Sequence, residues 1–177
     1  MEPNALVECA HELMRVLKEE LADRRTVEPA FILLHDNDCE LLTFSPRLFA
    51  SAEGKAAVAR AFRNRAHKTG ARGALMGLDS TCFIPDFAAM KEANPRLVRA
   101  AADAGIDALV RSSFGKKSEG LSVTLQTPSF YLLVQQLYTR RESSIVFGAL
   151  QTFDSRSLPM EAAGLFSIYA PRHATRG

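Results

Sequence analysis

The stretch Leu121–Phe153, "LSVTLQTPSFYLLVQQLYTRRESSIVFGALQTF", decides how this chain folds. Leu121, Val123 and Leu125 alternate with Ser122, Thr124 and Gln126, the period of two of a half-buried strand. Thr127-Pro128-Ser129 and then Arg140-Arg141-Glu142-Ser143 break the apolar pattern, and the runs Phe130–Thr139 and Ser144–Phe153 follow them. Three consecutive strands with short polar joints form an antiparallel meander, because a short joint reverses the chain and cannot carry it across a sheet.

Upstream of the meander the period changes. From Asn4 to Arg24 the positions Leu6, Ala10, Leu13, Leu17 and Leu21 recur at helical spacing, with Pro3 suited to the first turn, where its missing N–H costs nothing. Ala30–Leu34 and Cys39–Phe44 flank the polar joint His35–Asp38 and read as a hairpin. Phe31, Ile32, Leu33 and Leu34 leave neither face of the first strand polar, so a cover is expected on both sides. Ser51 is placed to cap a helix that Gly70 ends, with Val58, Ala61, Phe62 and Ala66 on one side. Arg72–Ile84 reads as a long strand closed by Pro85. Residues 86–111 are alanine-rich, and Asn94-Pro95 and Gly105 divide them into two or three short helices. Ser112–Gly120 is polar and reads as loop.

The expected architecture is therefore one α+β domain over 1–177. It comprises a mixed, mainly antiparallel sheet of about five or six strands with helices packed on it. Residues 86–120 form a helical and loop insert, Leu165–Ala170 is a last apolar run, and 171–177 form a flexible tail. The order α-β-β-α-β lacks the alternation of a doubly wound sheet. A length of 177 residues is enough for one hydrophobic core without metal or disulfide.

The segments "RGALMGLDSTCF", "SEGLSVTLQTPSFYLLVQQLYTR" and "SSIVFGAL", in that order around a helical insert, resemble a group of uncharacterised bacterial and phage proteins. In that group a long strand ending in an acidic-aromatic step leads through a loop to an E-x-L-x-V strand. Glu119, Leu121 and Val123 fit the second element, whereas Asp79–Phe83 departs from the first. The resemblance implies an α+β fold and no particular activity.

No apolar run approaches the roughly 20 residues of a membrane-spanning helix, and the acidic start Met1-Glu2-Pro3-Asn4 lacks the features of an export signal. Three scattered cysteines, Cys9, Cys39 and Cys82, suit reduced thiols, so a cytoplasmic location is expected. The net charge of +2 is unevenly spread: residues 1–50 carry five bases against ten acids, and 51–72 six bases against one acid. The remaining residues give −1 over 73–111 and +3 over 112–177, so that −5 + 5 − 1 + 3 = +2.

The joint His35–Glu40, "HDNDCE", concentrates groups able to ligate metals. A calcium loop begun at Asp36 requires glycine at its sixth position and glutamate at its twelfth, and those are Leu41 and Arg47. Structural zinc requires four ligands, commonly in close pairs, and His11, His35, His67 and His173 are scattered. Asp36-Asn37-Asp38 matches the D-x-D of many glycosyltransferases, but only 35 residues precede it, too few for a nucleotide-binding half. Asp and Asn also suit the left-handed angles of a hairpin tip, so the expectation is a turn with Asp36 and Asp38 exposed and no metal or other cofactor.

Ser113–Lys116 and Lys68-Thr69-Gly70 imitate the S-x-x-K and K-T-G of penicillin-binding enzymes in the wrong order. Gly54-Lys55 and Gly115-Lys116 lack the rest of a phosphate loop, and Cys82 within a strand reads as core. No catalytic constellation emerges.

The leading expectation is a non-catalytic globular protein acting by self-association, with a dimer favoured, or by binding another protein. Arg60, Arg63 and His67, flanked by Lys68, make a cationic stripe opposite Val58 and Phe62. Such a stripe suits nucleic acid or another anion and supplies the second reading. The third is a small-molecule receptor or enzyme with Asp79 as the acid of a pocket, because strand interiors disfavour aspartate.

Overall fold

The computed structural model describes residues 3–85, 89, 92–93 and 115–154. The expected helices within 86–111 (apart from residues 89, 92 and 93), the run Leu165–Ala170 and the tail 171–177 lie outside these residues. Helix α1 (Pro3–Arg24) precedes the hairpin of β1 (Ala30–Leu34) and β2 (Cys39–Leu42). A 3-10 turn at Pro46–Ala50 leads into α2 (Ala52–Thr69), and then come β3 (Gly73–Pro85), β4 (Gly115–Gln126), β5 (Tyr131–Arg140) and β6 (Ile145–Asp154). The six strands form one sheet in the order β2-β1-β3-β4-β5-β6. Every neighbouring pair is antiparallel, so the expected mixed sheet is antiparallel throughout.

The element ends follow local chemistry. The Ser51 side chain accepts from the Gly54 N–H at 3.0 Å, satisfying one of the donors that the first turn of α2 leaves unpaired. Gly70 closes α2 at φ 64°, the left-handed angle that glycine adopts without a Cβ penalty. Arg25 ends α1 with the same sign of φ, 60°, though it is not glycine. Its guanidinium offsets that strain by donating to the carbonyls of Arg141 and Glu142 in the β5–β6 turn.

Burial divides by the pleat. Phe31 and Leu33 of β1 enter a cluster with Val58, Phe62 and Ala66 of α2, while Leu34 joins Ala10, Met14, Leu17 and Leu21 of α1 on the other face. α2 thus covers the Phe31 and Leu33 face of β1, whereas on the α1 side Leu34 is buried and Ile32 stays half-buried. Leu6, Ala10, Leu17 and Leu21 of the expected stripe are buried; Met14 takes the place of Leu13, which lies half-buried at the margin. At Gly77 of β3 the helix α1 packs close to the sheet, since a Cβ there would stand 2.7 Å from Leu17 Cδ1.

The segment 115–120, expected as loop, belongs to β4. Its backbone pairs with Ser80–Pro85 of β3, and the pairing continues beyond the part of β3 that β1 borders. Glu119 and Gly120 also pair with β5, so backbone ladders make this polar stretch a strand.

Candidate functional site

The side chains with chemical capacity fall in four places. The first is a polar cluster where β5 ends, beside the C-terminus of α1. Tyr138 of β5 reaches across β4 and donates its hydroxyl to Asp79 Oδ1 at 2.7 Å. The Arg140 guanidinium donates to the Tyr138 oxygen at 2.8 Å, to Asp79 Oδ2 at 3.4 Å, to Glu119 Oε1 at 2.9 Å and to the Arg25 carbonyl. Tyr138 and Arg140 share a face because they are two apart on one strand. Burial, then the bond to Asp79 and the charge of that carboxylate, push the Tyr138 phenol well above its usual range and hold it as a proton donor. Arg140 is raised as well, mainly by its bond to Glu119. Every charged group here has a partner, and the arrangement ties β3, β4 and β5 to the end of α1. Asp79, singled out as a pocket acid, is thus half-buried and engaged by two neighbours.

The second place is the hairpin tip. The His35 N–H donates to the Asp38 carbonyl at 3.0 Å, closing a four-residue turn in which Asp36, Asn37 and Asp38 are exposed. Asp36 faces Arg72 at 3.3 Å, and Glu40, just past the tip, takes two contacts under 3 Å from Arg65 of α2. Among the described residues no three His, Cys, Asp or Glu side chains are grouped to hold a metal ion.

The same tip forms one wall of the third place, an open groove of about 760 Å³ whose other wall is α1. Leu13, Val16, Ile32, Leu34 and Leu75 make its apolar floor. Glu8 and Glu12 stand along one rim, Asp36 and Asp38 along the other, and the exposed thiols of Cys9 and Cys39 lie in opposite walls. Sequence reasoning found the tip and the helix separately. What it lacked was the sheet order, which sets β1 and β2 beside this flank of α1.

The fourth place is α2. Arg60, His67 and Lys68 are exposed and Arg63 is half-buried, at the border of the buried Ala59. Arg65, which lay outside the expected stripe, is the arginine that Glu40 holds. Three of the four residues of the expected stripe thus stand at exposed positions of α2.

Compared with known proteins, the chain matches no family model, no curated protein and no solved structure at a significant level. Among the described residues no helix is long and apolar enough to cross a membrane.

Proposed function

We propose that this chain is a non-catalytic protein that acts by self-association, two copies joining through the outer edge of β6. The composition of that edge carries the reading. β6 is ten residues long, stands at the end of the sheet, and has neither charge nor proline from Ile145 to Phe153. Val146 and Leu150 are 42% and 45% exposed. An edge strand offers a row of N–H and C=O groups to any other strand, and monomers blunt such edges with charges, prolines or brevity. The opposite edge shows that protection: β2 has four residues and includes Glu40, which pairs with Arg65. β6 has none of it. Antiparallel pairing of two β6 strands about a two-fold axis would continue one sheet into the next, the self-complementary contact of a closed dimer. The closed polar cluster around Tyr138 supports the non-catalytic part, because its charged groups are already spent on one another.

Light scattering over a concentration series tests this with the full chain. The expected mass is twice the 19.4 kDa of one chain. Val146→Lys with Leu150→Lys, both at exposed positions, should return it to one chain mass with an unchanged circular dichroism spectrum. A parent protein that stays monomeric at every concentration would remove the reading, as would a dimer indifferent to the two lysines.

A further inference from the structure

We infer that the groove between α1 and the β1–β2 hairpin receives a basic amphipathic helix of another protein. This goes beyond the β6 edge: it concerns the α1 face of the sheet near the opposite end.

The groove has the shape for a helix. Its α1 wall uses Ala5, Glu8, Cys9, Glu12, Leu13 and Val16, at successive gaps of three, one, three, one and three. Those gaps trace one helical flank about 16 Å long at 1.5 Å per residue. A second helix can lie along that flank with its apolar side chains on Leu13, Val16, Ile32, Leu34 and Leu75. Val16 is 44% exposed there, an apolar side chain that α1 itself leaves uncovered.

Charge selects the kind of helix. The rims present Glu8, Glu12, Asp36 and Asp38, and no lysine or arginine is among the described lining residues. Glu12 is held by Arg15, whose bond and charge lower its pKa, and Asp36 faces Arg72. Glu8 and Asp38, on opposite rims, form no ion pair or side-chain hydrogen bond among the described residues. An apolar ridge flanked on both sides by Lys or Arg would meet carboxylates on both rims, whereas an acidic helix would be repelled. The only cationic helix described in this chain, α2, is not the occupant, because its apolar face is buried in its own core.

The test uses the full-length chain and a fluorescein-labelled synthetic peptide of roughly 15 residues, with leucines at i, i+3, i+4 and i+7 and lysines beside them. The peptide should bind, and the same peptide with glutamate for lysine should not. Glu8→Lys with Asp38→Lys should weaken binding about 10-fold or more by reversing both rims. Val16→Asp makes the groove more acidic yet removes apolar contact, so it should also weaken binding, by roughly 10-fold; tighter binding would mean that charge alone attracts the peptide and would overturn the proposal. Position is read from the thiols: bound peptide should slow alkylation of both Cys9 and Cys39 by N-ethylmaleimide, followed by mass spectrometry. Unchanged alkylation of either, or affinity indifferent to Glu8→Lys with Asp38→Lys, refutes the proposal. So does a groove already filled by residues 155–177 of the same chain, which would show as slow alkylation without peptide and no peptide binding. A monomeric protein that binds the peptide would defeat the β6 reading and leave this one standing.

Discussion

Tyr138 and Asp79 lie 59 residues apart on strands separated by β4, and the hydroxyl of one donates to the carboxylate of the other at 2.7 Å. That bond exists only when β3, β4 and β5 are in register, so it reports on the pairing of the whole half-sheet. Tyr138→Phe removes a donor to Asp79 and an acceptor from Arg140 while keeping the ring against Phe147, at 6.2 Å between centroids. The expected loss is about 1–2 kcal/mol in urea unfolding, the cost of two interrupted polar contacts at a half-buried carboxylate. An unchanged midpoint would mean that the cluster contributes no net stability.

The same tyrosine sets a limit at alkaline pH. Its folded pKa lies above the unfolded value of about 10, because burial and Asp79 disfavour the phenolate. A group with a raised folded pKa contributes its stability in full below the unfolded pKa and loses it as pH rises through the folded one. The stability advantage of the parent over Tyr138→Phe should therefore hold to about pH 10 and then shrink, by at most ~1.4 kcal/mol per pH unit. Tyr131 is also raised, by burial alone. In an absorbance titration of the three tyrosines, two should ionise late, at or beyond unfolding. Normal titration of all three in the folded protein would contradict the buried hydrogen bond.

Two glycines of the α2 region should respond differently to alanine. A Cβ on Gly54 would stand 2.1 Å from the backbone oxygen of Leu48, which no side-chain rotation relieves. Gly54→Ala must separate α2 from the 3-10 turn and is expected to cost about 2–3 kcal/mol or more, at the upper end of overpacking. Gly70 has open space around it and only the left-handed φ to maintain, so Gly70→Ala should cost about 1 kcal/mol. Thermal unfolding of both variants gives the order, and a milder effect at Gly54 than at Gly70 would contradict the close packing of the turn on the helix.

The residues that were legible in the sequence are those whose evidence is local. Ser51 and Gly70 bound α2 because a cap and a left-handed glycine act within one turn. Asp36-Asn37-Asp38 reads as a tip because apolar runs flank it. The polar cluster was half legible: Tyr138 and Arg140 are two apart on one strand, and Asp79 is an acid inside another. What joins them is the β3–β4 register, fixed by pairing across the intervening segment 86–114, which no local pattern reveals. The same limit explains residues 115–120, whose polar composition hides a strand held by its ladder with β3. It also explains the groove, whose walls come from elements that only the sheet order makes neighbours.

Gly77 supplies the most direct check on how α1 sits on the sheet. A Cβ there would come within 2.7 Å of Leu17 Cδ1 and 3.4 Å of Leu13 Cδ2, so the missing side chain sets how closely the helix approaches β3. Gly77→Ala is expected to cost roughly 1–3 kcal/mol, the usual range for overpacking. Leu17→Ala, at a buried position, should cost about 2–5 kcal/mol through lost burial and a cavity. If the two side chains compete for one space, the new methyl partly fills that cavity and the double variant costs less than the sum, by about 1 kcal/mol or more. Urea unfolding of the four proteins closes the cycle. Additive losses would mean that Gly77 and Leu17 do not meet, and that the helix is held at its distance by something else. Because Leu13 lies beside the same glycine and also floors the groove, Gly77→Ala should in addition weaken binding of the basic peptide, whereas Gly70→Ala should leave it unchanged.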